Sequence, residues 1–145
     1  MFISRAFAVF FLVFTLSACQ QEQRDGNLSL PVETLKNVRW QLESAEGFSL
    51  PNKTELIPFI EFIETGKVSG FSGCNRFQGS VNIDDSTIQF APLAMSKRFC
   101  METAEVESLF VQALEQVAKG HITENTLMFY DQNDKVVLTF VGQSR

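Results

Sequence analysis

One stretch of this chain reads as a helix and nearly everything around it reads as strand. Val106, Leu109, Phe110, Ala113, Leu114, Val117 and Ala118 recur at the i, i+3, i+4, i+7 spacing that lines up one apolar face over three turns. Glu102, Glu105 and Glu107 stand near its start, where the helix dipole favours anions, and Lys119 and Gly120 are expected to close its end. A single amphipathic helix needs an apolar partner, and a sheet must supply it.

The strands follow from alternation. Val38 to Ser44 carries Trp40 and Leu42 two residues apart, as one face of a half-buried strand requires. Ile57 to Ile63 and Lys67 to Gly73 flank Glu64-Thr65-Gly66 as a hairpin; Val81 and Ile83 face Ile88 and Phe90 across Asp84-Asp85-Ser86. Leu127 to Asp131 and Lys135 to Val141 flank Gln132-Asn133-Asp134 as a last hairpin. The fold class expected is α+β: a strongly curved antiparallel sheet of about seven or eight strands packed with one main helix.

The first sixteen residues hold five of the fifteen Phe and one charge, Arg5. Ala6 to Leu16 is an unbroken apolar run of 11 residues, a fit for a signal-peptide core and short of the roughly 20 residues a membrane span needs. Leu16-Ser17-Ala18-Cys19 resembles the lipobox of bacterial lipoproteins. That resemblance implies a signal peptide over 1–18, diacylglycerol on Cys19, and a chain held to a membrane by its acyl groups. Gln20 in place of Asp implies the outer membrane, facing the periplasm. Residues 19–36 read as a flexible tether and 37–145 as the folded domain.

The whole chain carries 12 basic and 17 acidic residues, a net charge of −5, so nucleic acid is not an expected partner. Without Arg5 the mature chain would keep 11 basic residues against 17. A monomer is expected, tethered to the membrane by its anchor, with an envelope protein as partner.

Two stretches break the strand rhythm: Gly70-Phe71-Ser72-Gly73-Cys74-Asn75-Arg76-Phe77-Gln78-Gly79 and Ala94-Met95-Ser96-Lys97-Arg98-Phe99-Cys100. The first, with three glycines, should bend sharply at a strand end. In an oxidising periplasm, with Cys19 spent on lipid, Cys74 and Cys100 are the pair left for a disulfide; separately buried thiols or a redox or metal pair are the alternatives. A metal version lacks ligands, because His121 is the sole His. No metal and no cofactor is expected.

Gly73-Cys74-Asn75-Arg76-Phe77 with Gly79, Ala94-Met95-Ser96 followed by Cys100, and Trp40-x-Leu42 together resemble the META (HslJ-like) domain family, in matching order from about Leu35 to Val141. The resemblance implies a compact α+β domain of curved sheet. It also implies a heat-shock or envelope-stress role, or one in antibiotic tolerance, without an assigned reaction.

Asn75, Arg76, Ser96, Lys97 and Arg98 form the candidate binding patch, its cations suited to an anion or a partner protein. The structural alternative pairs Arg76 with Glu61 or with main-chain carbonyls at the bend and leaves the other cations solvated. Phe71, Phe77, Phe90 and Phe99 are candidates for an apolar cavity or for plain core, and Asp131-x-Asn133-Asp134 reads as a turn, since it lacks the Gly and terminal Glu of a calcium loop. No Gly-x-Ser-x-Gly, His-Glu-x-x-His or phosphate loop is present, so no catalytic residue is assigned. The function expected is a non-enzymatic outer-membrane lipoprotein that binds envelope components. The alternatives are an inhibitor of a lysozyme-type hydrolase and a carrier of a lipid or small hydrophobic ligand.

Overall fold

The computed structural model describes residues 30–46, 48–50, 56–64 and 66–144. The leader, Cys19 and most of the tether lie outside the described residues. The elements run α1 (Val32–Leu35), β1 (Val38–Ala45), β2 (Phe48–Ser49), β3 (Phe59–Glu64), β4 (Lys67–Phe71), β5 (Arg76–Asp84), β6 (Thr87–Phe90), β7 (Ala94–Met95), α2 (Ala104–Gln116), β8 (Lys119–Thr123), β9 (Thr126–Tyr130) and β10 (Val136–Ser144).

The sheet is curved so far that it closes. Strands pair antiparallel in the order β10-β9-β8-β6-β5-β4-β3-β1, and β1 returns to pair with β10, Val38 opposite Ser144 and Leu42 opposite Phe140. The expected strongly curved antiparallel sheet is thus a closed ring of eight strands. Among the described residues, closure leaves no long strand edge for another chain to pair with. Its bends are assisted by irregularities in register at Leu42/Ser44, Phe62/Glu64 and Val136/Leu138, because an extra residue in one strand sharpens the local twist.

Alternation decides what enters the barrel. Gly142, Trp40, Ile60, Gly70 and Phe77 stand opposite one another across β10, β1, β3, β4 and β5, and all five are buried. Large rings thus lie beside glycines in one inward row, which is how a narrow barrel accommodates them. The interior is side chain throughout this core: Trp40 is 2% exposed, and Phe110, Phe129 and Phe140 are fully buried.

The wall is thinnest where β6 meets β8, at the single register pair Thr87–Lys119. Helix α2 starts beside Gly73 and ends at Gln116, just before that rung, turning Val106, Phe110, Ala113 and Leu114 inward. Phe110 lies 6.0 Å from Phe77 of β5 and 6.3 Å from Phe140 of β10, ring centre to ring centre. Those two strands are on opposite sides of the ring, so the Phe110 side chain sits within the barrel and bridges it.

Two expectations fail at the ends of elements. Lys119 and Gly120 do not cap the helix; Val117 ends it, and Gly120 is buried inside β8 opposite Phe129. The packed domain also starts before residue 37. Leu30 and Leu35, expected in the tether, are 3% and 0% exposed, and the Trp40 indole donates to the Leu35 carbonyl at 3.1 Å. Apolar burial outweighs the polar, turn-rich composition of this stretch.

Candidate functional site

Between β4 and β5 the chain reverses through Ser72-Gly73-Cys74-Asn75. The Ser72 amide donates to the Asn75 carbonyl at 2.8 Å, and the Asn75 amide donates to the Ser72 hydroxyl at 3.1 Å. Gly73 holds φ at +102°, a value that a side chain would make costly, so the glycine is required by the bend. Cys74, presented by this turn, is disulfide-bonded to Cys100, with the Cα atoms 5.8 Å apart. Closing a loop with a sequence separation of 26 removes about 3.5 kcal/mol of unfolded-chain entropy in the loop-closure model.

Beneath the bridge, Asn75 is 5% exposed and its amide is used completely. Nδ2 donates to the Arg98 carbonyl at 3.1 Å and to the two Glu107 carboxylate oxygens at 2.9 and 3.1 Å. Oδ1 accepts from the Ser96 hydroxyl at 2.9 Å and from the Arg98 amide at 2.7 Å. The Ser72 hydroxyl also donates to Glu107. One side chain therefore joins the turn, the 96–98 loop and the first turn of α2. The Glu107 carboxylate gains both from these donors and from the positive end of the helix.

The five residues of the expected patch divide by this geometry. Asn75 and Ser96 are brought together, and their polar groups bond to each other and to the backbone, with Asn75 buried and Ser96 at the surface; Ser96 Oγ also accepts from the Arg76 amide at 3.2 Å. Arg76, Lys97 and Arg98 are exposed. Arg98 is braced, its guanidinium donating to the Cys74 carbonyl at 2.8 Å, while the side chains of Arg76 and Lys97 have no protein partner among the described residues. Beyond them, Phe99 and Met101 are 83% and 82% exposed on either side of Cys100, and a depression of about 530 Å³ separates the loop from α2.

Glu61 is taken by Arg39 at 2.8 Å, not by Arg76. The four Phe candidates are dispersed: Phe77 is in the core, Phe90 packs edge-on against Phe129, Phe71 lies on the outer wall, and Phe99 is exposed. The Asp131 side chain accepts from the amides of Asn133 and Lys135 at 2.8 and 2.9 Å, as expected of a turn. Chiefly through the Lys135 amide, these bonds hold its carboxyl below the ordinary value of 3.8. His121, on β8, shares a hydrogen bond of 2.9 Å with Thr123. Ser72 and Glu107 were missed as parts of the site. Glu107 reads from sequence as an ordinary helix-start acid, and no local signal points it at Asn75.

These features define a small closed antiparallel barrel, bridged by one helix, whose turn and loop are locked by a disulfide beside an exposed cationic tip. The META domain family model matches residues 33–144, and the chain belongs to the META domain family. Among solved structures it resembles a protein from Burkholderia xenovorans solved by NMR, at 24% identity and a TM-score of 0.62, over 79% of this chain and 87% of the other. A second NMR structure is 27% identical with a TM-score of 0.62, covering 77% and 94%. A DUF4847 family protein from Bacteroides vulgatus shares the fold at 14% identity, with a TM-score of 0.58 over 78% and 97%. No curated protein matches the chain significantly.

Proposed function

We propose that this META-domain chain is a non-enzymatic lipoprotein, anchored through Cys19 to the outer membrane and facing the periplasm, that binds envelope components under stress. The observation that carries the binding role is the presentation of Arg76, Lys97 and Arg98 on two loops already locked together by the disulfide and by Asn75. Ordering a loop costs affinity at the moment of binding, and here that ordering is complete beforehand. The cations favour an acidic partner in a chain whose overall charge is negative.

A photo-crosslinker at position 76 or 97 in living cells tests the role. A discrete protein adduct, lost when Arg76, Lys97 and Arg98 are all changed to Gln, is expected; absence of any charge-dependent adduct overturns it. Cys19→Ser should release the protein from membranes and abolish palmitate labelling.

The exposure of Phe99 and Met101 on a disulfide-closed loop favours a second reading. Such a tip fits the cleft of a hydrolase of the lysozyme type, with Lys97 and Arg98 beside its carboxylates. Inhibition of lysozyme by the purified protein, relieved by Phe99→Ser, would support this reading over the first.

A further inference from the structure

The outer wall of the barrel carries a second concave surface, which shares Arg76 and Arg98 with the exposed tip and extends away from Lys97. Gln41, Phe59, Phe71 and Arg76 stand opposite one another across β1, β3, β4 and β5. They are one residue along from the inward row of Trp40, Ile60, Gly70 and Phe77, so strand alternation turns them outward. Two large aromatic side chains, each half-exposed, therefore lie on the side of the wall that faces away from the core. Their ring centres are 6.1 Å apart with planes inclined at 32°.

Three guanidinium groups surround this floor. Arg39 lies over the Phe59 ring at 4.2 Å from its centre, held there by Glu61 through Nε at 2.8 Å, which leaves its terminal nitrogens outside that pair. Arg76 borders Phe71, and Arg98 enters from the loop locked by the disulfide. The groove has a volume of about 730 Å³. That lies within the range of small-molecule sites, about 300–1,000 Å³. Among the described residues, the three guanidiniums outnumber the Glu61 carboxylate paired with Arg39, so the groove is locally positive in an acidic protein.

We propose that this groove binds a free amphipathic anion: a small molecule with one carboxylate or phosphate on a planar apolar body. The body lies on Phe59 and Phe71, while the anionic group takes the Arg76 and Arg98 guanidiniums, whose planar forks match a carboxylate or phosphate. The apolar floor and the fork are each needed, since neither a purely apolar molecule nor a bare anion uses both. A bilayer surface carries similar chemistry, but its flat face does not enter a concave groove. This site does not rest on the anchored, partner-binding role proposed above.

The probe is 2-naphthoate, titrated into isotope-labelled protein and followed by NMR, with 2-naphthamide as the neutral control. Shifts are expected at the amides of Gln41, Phe59, Phe71 and Arg76, with the naphthamide bound at least tenfold more weakly. Arg76→Gln should weaken naphthoate about tenfold and leave naphthamide and the melting curve unchanged. Phe71→Ser should weaken both ligands, and its dispersed spectrum would certify the fold. Equal binding of the two probes, indifference to Arg76→Gln, or shifts confined to Ser108 and Gln112 of α2 would overturn the proposal. So would capture by anionic phospholipid vesicles in the absence of any response to naphthoate. An adduct at position 97 reports the partner-binding role separately, because Lys97 does not line this groove.

Discussion

At the scale of single residues, Asn75 has the most consequences for its size. Its amide makes five hydrogen bonds that tie its own turn to two other segments, the 96–98 loop and α2, and it supplies Glu107 with charge-assisted donors. Asn75→Ala should therefore cost about 3 kcal/mol, because it takes Nδ2 from the Arg98 carbonyl and Glu107, and takes Oδ1 from Ser96 and the Arg98 amide. Equilibrium denaturation checks the value. Asn75→Asp should do more harm as pH rises, since it sets a second carboxylate against Glu107. From sequence Asn75 was legible as a member of the motif and of the candidate binding patch, not as a buried tie between loops. Whether such a side chain faces solvent or holds the loops depends on the 96–98 segment, which the linear spacing does not bring near.

Among the elements, the hairpins were the most legible, because each declares itself within about ten residues by alternation and a turn. The β9–β10 hairpin illustrates what such a turn contributes. Asp131 is held in its charged form by the amides it accepts from, so its folded pKa is below that of the unfolded chain. The sign follows: its contribution is present above the ordinary carboxylate value and fades as pH falls through and below it. Asp131→Asn should melt earlier than wild type near about pH 6, with the difference narrowing by about pH 3. Thermal melts across that range test this. β8 was not legible, because Lys119-Gly120 after an apolar helix carries the composition of a helix stop. What makes it a strand is its pairing with β9, and the burial of Gly120 against Ile88 and Leu30.

For the whole molecule, the expected class was coarser than the architecture. The helix and the ring strands other than β8 followed from periodicity, but ring closure depends on Val38 meeting Ser144, and no local pattern encodes contacts so distant in sequence. The placement of Phe110 has the same origin: periodicity marks it as buried, and only the closed ring makes it a bridge between opposite walls. Phe110→Ala should cost about 3–5 kcal/mol, as the cavity would open where strands from both sides converge. A fall of that size in chemical denaturation, with the disulfide intact, checks it.

The seam between β1 and β10 also has a topological consequence. Because the first and last strands of the barrel lie side by side, a linker from Ser144 back to the segment before Val38, with the buried Leu30 and Leu35 kept, would leave the hydrogen-bonded ring uncut. New termini could then be opened at the exposed Asp84-Asp85 reversal, giving a circularly permuted chain with the same walls in a different order.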